Sequence, residues 1–494
     1  MVVILVDTLR ADHLGCYGYG RDTSPNIDRL AREGVLFERA YTSSTFTGEA
    51  VGTLFSGVWP MENPQGSGWY ARPDPGRDAW PAFFRRAGYA TGHFANSPIM
   101  NTPGFNEGFD QFSCLVQTFG VSGAGPQLTK RALEFMEQQR ERPFSLYLHY
   151  MDPHAPYDPP EEYYRRFSDK AMDDPAHHVD DFMGNLAALR REGFGPGDPR
   201  FENLMTKYDA EIAFTDESIG DLMAGMEKLG LTGNTIVVLL ADHGEEFLEH
   251  GYMDHAWNLF EETLRVPLLF WWPGQLTPGR VEEAASTVAV LPTLLALIGA
   301  TPEGRDFSLP PLFDRGDAGW QAAAHTGPLF AEMQIETRAM LRAVMHEGYK
   351  YLSAARWLDE ACMQALYLVQ KPLRNSLLAG EWKPLHPRSP ARREALYHLP
   401  SDPGELRDVA TEQPEVTARL RGMLEAALAA APEPKGPFEF EAQDPLPGLL
   451  ETLRANPAAM DSAAVSDEQQ AELEALGYMG GSAAGQPDAP CVLP

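Results

Sequence analysis

An unbroken apolar run, residues 237–241 (VVLLA), is followed at once by Asp242, His243 and Gly244. Apolar runs without polar alternation are typical of strands buried on both faces of a parallel sheet. Open α/β sheets bind ligands at the carboxyl ends of such strands. Asp offers a hard oxygen to a metal and His a neutral nitrogen, and Gly lets the backbone turn sharply beside them. The pattern therefore predicts an α/β fold with a functional site at this edge of its sheet.

The first residues repeat this design, because the apolar run at 1–6 is followed by Asp7. A single Asp at such a place is most often a turn residue or a helix cap. Two strand ends that each offer a carboxylate, one of them with an imidazole attached, favour a shared site instead. We therefore expect Asp7, Asp242 and His243 to lie together.

A hydroxyl-rich segment, residues 40–50 (AYTSSTFTGEA), leads into a predicted helix at 51–57. Hydroxyl groups at a helix N-terminus usually cap the helix. The free N–H groups and the dipole at that end can also hold an anionic ester, which a hydroxyl placed there would meet directly. The segment is therefore a candidate source of a nucleophile.

A third apolar run, residues 144–149, precedes a proline-fixed loop that contains Asp152 and His154. A lone histidine in a loop is usually solvated or hydrogen-bonded to its surroundings. His154 is a stronger candidate because it follows a third strand end and is held by a neighbouring proline. A second histidine group, with His250 and His255, comes soon after the run at 237–241.

Helix and strand patterns alternate up to about residue 310, which predicts a doubly wound sheet with helices on both sides. Strand patterns at 328–354 then predict a small antiparallel sheet. We therefore predict a catalytic α/β domain (1–325), a smaller C-terminal α+β subdomain (326–430), and an extended tail with a short terminal helix (431–494). The polar residues 168–204 are interpreted as a surface insertion or lid.

The 494 residues carry a formal net charge of −30. Such acidity argues against nucleic acid and anionic membrane surfaces as partners. It does not argue against an anionic substrate, because a bound cation can dominate the local field. With this net charge, some cation is needed if an anionic ester is to approach the predicted carboxylates.

The four cysteines are scattered without metal-ligand spacing, which predicts free thiols or at most a chance disulfide. No apolar run approaches the ~20 residues that span a bilayer, so no transmembrane segment is expected. The start of the sequence also lacks a secretory signal. The expectation is a cytoplasmic protein, or a periplasmic or extracellular one if an N-terminal leader is missing.

Three long blocks resemble the sulfatase branch of the alkaline phosphatase superfamily: VDTLRADHLGCYGYGRDTSPNIDRLAREGVLFERAY, LYLHYMDPHAPYDPP and LLADHGEEFLEHGYMDHAWNLFEETLRVPLLFWWPG. The shorter segments VAVLPTLLALIGA, EALYHLPSDPGELRDVA and EALGYMGG match as well. The similarity covers nearly the whole chain, apart from residues 168–204 and the last residues. It implies a large α/β domain with a central mixed sheet and a smaller C-terminal domain with an antiparallel sheet.

The resemblance breaks at the position of the family's nucleophile. Sulfatases carry there the Cys or Ser of a C/S-x-P-x-R block, which is oxidised to formylglycine and lies ten residues before a Gly. Here the matching glycine is Gly57, the nucleophile position holds Thr47, and Glu49 and Val51 replace the Pro and the Arg. Threonine cannot give formylglycine, because its extra methyl group blocks the aldehyde. Thr47 instead resembles the threonine nucleophile of the nucleotide pyrophosphatase and phosphoglycerol-transferase branches.

Two further departures concern the metal and the substrate anion. Thr8 stands where sulfatases usually have a second Asp ligand, and His255 stands where many have a Lys that touches the sulfate. Losing a carboxylate and gaining an imidazole favours zinc or manganese as the divalent cation, with calcium as the alternative.

Together these residues predict a metal-dependent hydrolase or transferase that acts on phosphate- or sulfate-type esters. Asp7, Asp242 and His243, with the Thr47 oxygen, are the predicted metal ligands. The cation would activate the Thr47 hydroxyl for attack on the bound ester, and the covalent Thr47 ester would then be hydrolysed or passed to an acceptor.

His154 and His255 are predicted to stabilise the equatorial oxygens of the ester or to protonate the leaving alkoxide. A weaker prediction adds Asp152 and His250 as ligands of a second metal. Relatives with two metals space the corresponding Asp and His by four residues, whereas Asp152 and His154 are two apart.

The favoured substrate is a phosphoester or phosphodiester, as a small molecule or as part of a glycan or a lipid headgroup. Two alternatives stay open: a sulfuric ester hydrolase that works without formylglycine, and a degenerate member that keeps the metal site to bind an anionic glycan or lipid headgroup. Non-catalytic binding is favoured by Thr8, Glu49 and Val51. An enzyme is favoured by the joint presence of Asp7, Thr47, His154, Asp242 and His243.

Overall fold

The computed structural model describes residues 1–63, 79–115, 123–179, 189–300, 306–317, 319–323, 325–335, 339–354 and 394–431. The predicted terminal helix, nearly all of the predicted tail, and two of the four cysteines, Cys362 and Cys491, lie outside these residues. The elements are numbered below in chain order.

The described strands are β1 (Val2–Val6), β2 (Val35–Phe37), β3 (Ala40–Tyr41), β4 (Ala90–Ala95), β5 (Gln111–Cys114), β6 (Phe144–Tyr150), β7 (Val237–Ala241), β8 (Glu246–Phe247), β9 (Met253–Asp254), β10 (Arg265–Val266), β11 (Leu268–Trp271), β12 (Gly279–Val281), β13 (Ala285–Ser286), β14 (Phe313–Gly316), β15 (Gly319–Ala322), β16 (Leu329–Ile335), β17 (Ala339–His346), β18 (Tyr349–Ala354) and β19 (Glu394–His398). The described α-helices are α1 (Pro25–Glu33), α2 (Thr47–Ser56), α3 (Trp80–Arg86), α4 (Gly125–Gln138), α5 (Glu161–Tyr164), α6 (Pro199–Lys228), α7 (Glu261–Leu264), α8 (Val290–Leu297) and α9 (Pro414–Ala430).

The central sheet has eight strands in the order β12-β2-β11-β7-β1-β6-β4-β5. Strand β1 runs parallel to both β6 and β7, while β11 runs antiparallel to both β7 and β2. The predicted large mixed sheet is thereby confirmed. Strands β1 and β7 are buried along their whole length, as the apolar runs predicted.

Helices cover both faces of this sheet. Alternate residues of a strand point to opposite sides, so an apolar strand needs packing partners on both. On β1, Val3 and Leu5 join one hydrophobic cluster, which includes residues of α2, α3 and α8. Val2, Ile4 and Val6 join the other cluster, with residues of α1, α4 and α6. The doubly wound arrangement predicted from the alternating pattern is confirmed.

The parallel register brings three strand ends to the same edge. Val6 of β1 lies opposite Tyr150 of β6 and opposite Ala241 of β7. The residue that follows each strand therefore emerges at one place, and Asp7 and Asp242 become neighbours although 235 positions separate them in the sequence. This edge of the sheet carries the candidate site.

Two helix boundaries differ from those predicted. Helix α2 begins at Thr47 rather than at residue 51, so the hydroxyl of Thr47 belongs to its first turn. Helix α6 begins at Pro199, within the polar segment 168–204 that is interpreted above as an insertion, because Asp198 accepts a hydrogen bond from the Arg200 amide and proline suits the first helical position.

The apolar run 266–271 contributes to two strands that lie in different sheets. Val266 belongs to β10, which pairs with β3, whereas β11 begins at Leu268 and belongs to the central sheet. Pro267 lies between them and offers no N–H to a ladder.

A second sheet has the antiparallel order β16-β17-β18-β19, and helix α9 packs against β17 and β18. Its buried residues belong to the same hydrophobic cluster as those of α2 and α8. The amide of Glu332 on β16 donates to the Ser43 carbonyl, 2.9 Å away, in the hydroxyl-rich segment. The predicted smaller antiparallel part is therefore present, and its core is continuous with that of the large part.

None of the helices in the described ranges combines the length and the hydrophobicity that crossing a bilayer requires.

Candidate active site

Two fully buried carboxylates face each other at the ends of β1 and β7. Asp7 Oδ2 lies 2.8 Å from His149 Nε2. Asp242 Oδ1 accepts from the amides of Thr8 (3.2 Å) and His243 (2.9 Å). The second oxygens, Asp7 Oδ1 and Asp242 Oδ2, are buried and have no hydrogen-bond partner within the part of the chain that the structure describes.

These orphaned oxygens fit a bound cation. Ligand atoms of Asp7, His149 and Asp242 all lie within 4.8 Å of one another. Burial and the charge of Asp7 raise the pKa of Asp242 well above its ordinary value. Burial also acts to raise the pKa of Asp7, but the hydrogen bond and the charges of nearby histidines, His149 first, outweigh it and lower that pKa. A divalent cation would remove the repulsion between two ionised carboxylates, so the donor set fits a metal.

Thr47 is the hydroxyl of the 40–50 segment that reaches this cluster. Ser43 Oγ is hydrogen-bonded to Thr53 Oγ1 (2.6 Å). Ser44 Oγ donates to Glu49 Oε2 (2.7 Å), and Thr45 Oγ1 donates to the Asn258 carbonyl (3.0 Å). Thr47 Oγ1 instead lies 3.2 Å from His243 Nε2. The hydroxyls of Ser43, Ser44 and Thr45 therefore form hydrogen bonds that stabilise the fold, whereas the Thr47 hydroxyl faces the site.

The imidazole of His243 presents a lone pair to Thr47. Its Nδ1 lies 2.9 Å from the Gly244 carbonyl, which can only accept, so Nδ1 carries the proton. Nε2 is then the unprotonated nitrogen. Burial, together with the charge of His255, lowers the pKa of His243 to about 3, so the ring is neutral at physiological pH. A neutral imidazole with a free Nε2 can either bind a metal or accept the Thr47 proton.

His255 is held as a cation by two carboxylates. Its Nδ1 lies 2.7 Å from Asp254 Oδ1 and 3.0 Å from Glu245 Oε1, and the Tyr157 hydroxyl donates to Glu245 Oε2 (2.9 Å). Burial acts to lower the pKa of His255, but the charges of Asp254 and Glu245 outweigh it and raise that pKa well above its ordinary value. The imidazolium therefore supplies a positive charge where many sulfatases place a Lys.

His154 completes a group of three imidazoles. The ring centroid of His255 lies 4.3 Å from that of His243 and 5.0 Å from that of His154. His154 Nδ1 donates to the Ala155 carbonyl at 2.6 Å, which leaves Nε2 for other contacts. The structure thus brings together six of the predicted site residues: Asp7, Thr47, His154, Asp242, His243 and His255.

The two weaker candidates are placed differently. Asp152 is buried with Oδ1 accepting from the Gly123 amide at 3.1 Å, and burial raises its pKa to about 6. His250 contacts Glu262 through Nδ1 (2.6 Å) and the Gly404 carbonyl through Nε2 (3.1 Å). Among the described residues, neither side chain belongs to a set of three or more His, Cys, Asp or Glu whose ligand atoms all lie within 4.8 Å of one another. A second metal at these residues stays a prediction, and both His250 nitrogens are already engaged.

Sequence reasoning missed His149, Glu245 and Asp254. His149 is the only histidine inside the apolar run 144–149, and a polar residue so near a strand end is a signal of the same kind as Asp7. Glu245 and Asp254 flank the two recognised histidine groups, but nothing in their spacing shows that both meet His255. That meeting depends on the short β8–β9 pairing, which folds the 246–254 segment back on itself.

Comparison with known proteins now decides the family. The family model described as Sulfatase matches residues 1–300 of the 494. The chain belongs to the sulfatase family. The family consists of ester hydrolases, so the predicted sulfatase membership, alkaline phosphatase-like fold and ester-hydrolase class are confirmed.

Individual sulfatases are distant in sequence. The N-acetylglucosamine-6-O-sulfatase of Bacteroides thetaiotaomicron is 23% identical over 413 residues, covering 66% of this chain and 73% of that protein. Human arylsulfatase A is 26% identical over 505 residues, covering 87% and 88%. The phosphonate monoester hydrolase of Agrobacterium radiobacter shares the fold, with a TM-score of 0.62 and 20% identity over 87% of this chain and 95% of that one. Members of the sulfatase family depend on a divalent metal, and the carboxylates and imidazoles described above offer this chain a place for one.

Proposed function

We propose that this sulfatase-family chain is a metal-dependent phosphoesterase that uses Thr47 as its nucleophile, with phosphodiesters or phosphonate monoesters as the favoured substrates. The observation that carries the proposal is the placement of Thr47 Oγ1, 3.2 Å from the unprotonated nitrogen of His243 at the first turn of α2. A hydroxyl at a helix N-terminus meets an anionic ester where free N–H groups and the dipole favour it.

Phosphorus is favoured over sulfur by the chemistry of the second step. A formylglycine hydrate can expel sulfate by breaking its own C–O bond, because its second hydroxyl collapses to the aldehyde. A sulfated threonine has no such second hydroxyl and would require water to attack sulfur. A phosphorylated threonine is instead open to attack by water at phosphorus, as in other covalent phosphoryl-transfer enzymes.

Asp7, Asp242 and His243 would hold the cation, with the Thr47 oxygen close to it. When bound, the cation supplies Lewis acidity that lowers the pKa of the Thr47 hydroxyl and offsets the charge of the ester. The nitrogen ligand favours zinc or manganese over calcium. Burial of both carboxylates excludes water that would otherwise weaken these interactions.

His255 and His154 have different roles in this mechanism. His255 is kept protonated by Asp254 and Glu245, and a donor that keeps its proton best stabilises the oxygens of the transferred group. The leaving alkoxide needs a proton from a nearby donor. His154 is assigned this role because its Nδ1 is engaged with the Ala155 carbonyl, while its Nε2 remains for a contact with the leaving oxygen.

A second candidate is hydrolysis of a sulfuric ester on a glycan. It is supported by the names of the relatives, which include an N-acetylglucosamine-6-O-sulfatase. In that case too, Thr47 would have to act without formylglycine. For either ester, the organic part of the substrate is a small molecule, a glycan or a lipid headgroup. Support for phosphorus chemistry on this fold comes from the phosphonate monoester hydrolase neighbour.

The experiment compares chromogenic esters with metal-loaded protein. The substrates are p-nitrophenyl phosphate, bis-p-nitrophenyl phosphate, p-nitrophenyl phenylphosphonate and p-nitrophenyl sulfate, each with zinc, manganese and calcium. We expect the diester and the phosphonate to be turned over fastest. Thr47→Val, which keeps the shape of the side chain, should lower kcat by roughly 10³-fold or more, whereas Thr47→Ser should keep most of it.

Mass spectrometry of acid-quenched reactions provides the independent measurement. A mass increase of one phosphoryl or phosphonyl group on the peptide that contains Thr47, absent from Thr47→Val, supports the proposal. Faster turnover of the sulfate would select the second candidate. Equal rates for the wild type and Thr47→Val, or no turnover by any metal-loaded sample, would overturn the catalytic role of Thr47.

A further inference from the structure

His149 lies at the centre of the sheet, one residue before the end of β6. It is fully buried and stands opposite Leu5 of β1 on one side and Ala95 of β4 on the other. Both neighbours are apolar, so nothing in the packing requires a polar ring here. A histidine in such a place is costly to bury unless its nitrogens are used.

Both nitrogens of His149 have partners. Nδ1 lies 3.2 Å from the Tyr147 hydroxyl on the same face of the strand, and Nε2 lies 2.8 Å from Asp7 Oδ2. Without a cation, the Nε2 proton serves the hydrogen bond to Asp7; with a cation bound, the proton would move to Nδ1 and be donated to Tyr147, and the Nε2 lone pair would point at the cation. A histidine that binds a metal through one ring nitrogen usually hydrogen-bonds through the other, and that hydrogen bond fixes the orientation of the ring.

Two carboxylate oxygens near His149 Nε2 have no hydrogen-bond partner among the described residues. Asp7 Oδ1 and Asp242 Oδ2 are buried and orphaned within the described ranges, and the ligand atoms of all three residues fit within 4.8 Å. An orphaned buried carboxylate oxygen is expensive unless a cation satisfies it. Two such oxygens beside an imidazole nitrogen therefore mark one shared ligand position.

Thr8 explains why an additional ligand is needed. It occupies the position of a second carboxylate in the family resemblance, yet its amide serves Asp242 and its carbonyl accepts from the Tyr208 hydroxyl. Threonine brings no negative charge to the cation. A neighbouring strand can supply the missing ligand, because β6 is the parallel partner of β1 on the other side from β7.

We propose that His149 is a direct ligand of the active-site cation and takes the place that the carboxylate missing at Thr8 would fill. The site then has two carboxylates, from Asp7 and Asp242, and two imidazoles, from His149 and His243. Calcium and magnesium prefer oxygen ligands, whereas zinc, manganese and cobalt accept imidazole readily. The nitrogen-rich set selects a transition metal. This inference rests on the metal site of the proposed function but not on the identity of the ester.

The test measures metal binding and does not depend on turnover. Zinc and calcium affinities are measured by competition with chromogenic chelators for the wild type and for His149→Ala. The matched control is His93→Ala, since His93 is a buried histidine on the neighbouring strand β4 whose Nδ1 donates to the Phe105 carbonyl at 3.0 Å. We expect His149→Ala to weaken zinc binding by at least about 100-fold, more than loss of an outer contact usually costs, and His93→Ala by less than about threefold.

Restoring the carboxylate gives the reciprocal test. The double variant His149→Ala/Thr8→Asp replaces an imidazole by an oxygen ligand, and its ratio of zinc to calcium affinity should fall by roughly 100-fold relative to the wild type. An unchanged ratio would contradict the inference. Circular dichroism at matched temperature verifies that each variant is folded.

Pulsed EPR of the copper(II)-loaded wild type keeps the inference testable even if His149→Ala does not fold. The remote ring nitrogens of coordinated imidazoles modulate the echo, and we expect two imidazoles, with one fewer in any folded His149 variant. An unchanged number of imidazoles in a folded His149 variant, or equal zinc affinity in the wild type and His149→Ala, would show that His149 only orients Asp7. Ester turnover could still be present in that case. If His149→Ala loses zinc binding while the wild type turns over none of the esters, His149 is a metal ligand and the proposed reaction is wrong.

Discussion

Thr8 carries backbone strain at the site. Its φ is +52°, a conformation that a β-branched residue rarely adopts, and its buried hydroxyl has no hydrogen-bond partner among the described residues. The strained backbone aims the amide at Asp242 and the carbonyl at Tyr208. Strain of this kind persists where surrounding contacts over-determine it, and it is concentrated at functional sites. Residue 8 thus orients Asp242, a proposed metal ligand, even though its own side chain is not a carboxylate.

Gly244 is required for a reason that differs from the one expected. The sequence suggested a sharp turn, but Gly244 is not among the glycines with positive φ. Its amide donates to the Thr263 carbonyl at 2.8 Å, and a Cβ at this position would collide with the Glu262 carbonyl oxygen. The glycine allows two backbone segments to approach beside His243.

Gly244→Ala should therefore destabilise the fold by about 2–3 kcal/mol, because backbone atoms must move apart to admit the methyl group. Urea unfolding followed by circular dichroism measures the change. Gly233→Ala is the matched control, since a Cβ there meets nothing within 4 Å, and it should be neutral within about 0.5 kcal/mol. Equal stability of the two variants would show that the 262–263 backbone yields without cost.

At the level of elements, the loop after β7 is bound to the small sheet through His250. Its ring stacks on Phe260 with 3.7 Å between centroids, and its nitrogens contact Glu262 and the carbonyl of Gly404. Gly404 follows β19, so this histidine joins the two sheets. Burial acts to lower the pKa of His250, but the hydrogen bond and charge of Glu262 outweigh it and raise that pKa above 6.5.

The raised pKa makes the contribution of His250 depend on pH. Its stabilisation is fully present below the unfolded-state pKa of 6.5 and is lost as the pH rises through the folded-state value. His250→Ala should therefore cost about 3 kcal/mol at pH 6, since it leaves Glu262 buried and unpaired, and clearly less at pH 9. Denaturant unfolding at both pH values tests this. His398→Ala, which removes an exposed contact to Ser401, is the control and should cost less than about 1 kcal/mol at pH 6.

Strand ends were the most predictable elements, and residues between them were the least. The apolar runs located β1, β6 and β7 and the carboxyl ends at which Asp7, His154 and Asp242 follow. His149 reads as part of an apolar run, because a single polar residue does not change the pattern of its neighbours. Only the pairing of β6 with β1, which sets Nε2 beside Asp7, shows that this residue faces the site.

Over the whole molecule, one hydrophobic cluster joins the two sheets. Residues of α2, α8, β16 and β17 all contribute to it, and Trp59 packs edge-on against Phe330 of β16 at 5.6 Å. The small sheet also contacts the 40–50 segment that contains Thr47, since the Glu332 amide donates to the Ser43 carbonyl. A division near residue 325 therefore describes the sequence pattern, while the segment of the proposed nucleophile is contacted from both sides of that division.

The net charge of −30 predicts an unusual salt dependence of catalysis. An anionic ester is repelled by the molecule as a whole, and salt screens that repulsion within about 10 Å at 0.1 M. We expect kcat/KM to rise about two- to fivefold between 10 and 200 mM NaCl for the dianion p-nitrophenyl phosphate, and less for the monoanion bis-p-nitrophenyl phosphate. Steady-state kinetics of both substrates, with kcat measured separately, check this. A fall in kcat/KM with salt would show that the local cationic field of the site outweighs the net charge.

The sequence by itself determined the kinds of elements, the strand ends at which polar residues gather, and the family, because these depend on local pattern and on motifs in order. It also showed that Thr47, which stands at the nucleophile position of the family, cannot become formylglycine, since that conclusion needs only the covalent structure of threonine. The tertiary structure alone decided which side chains meet. His149 reaching Asp7, two carboxylates holding His255 protonated, and a backbone contact excluding a Cβ at Gly244 each depend on distances between segments far apart in the chain. Such distances are set by strand register and packing, which no local pattern encodes.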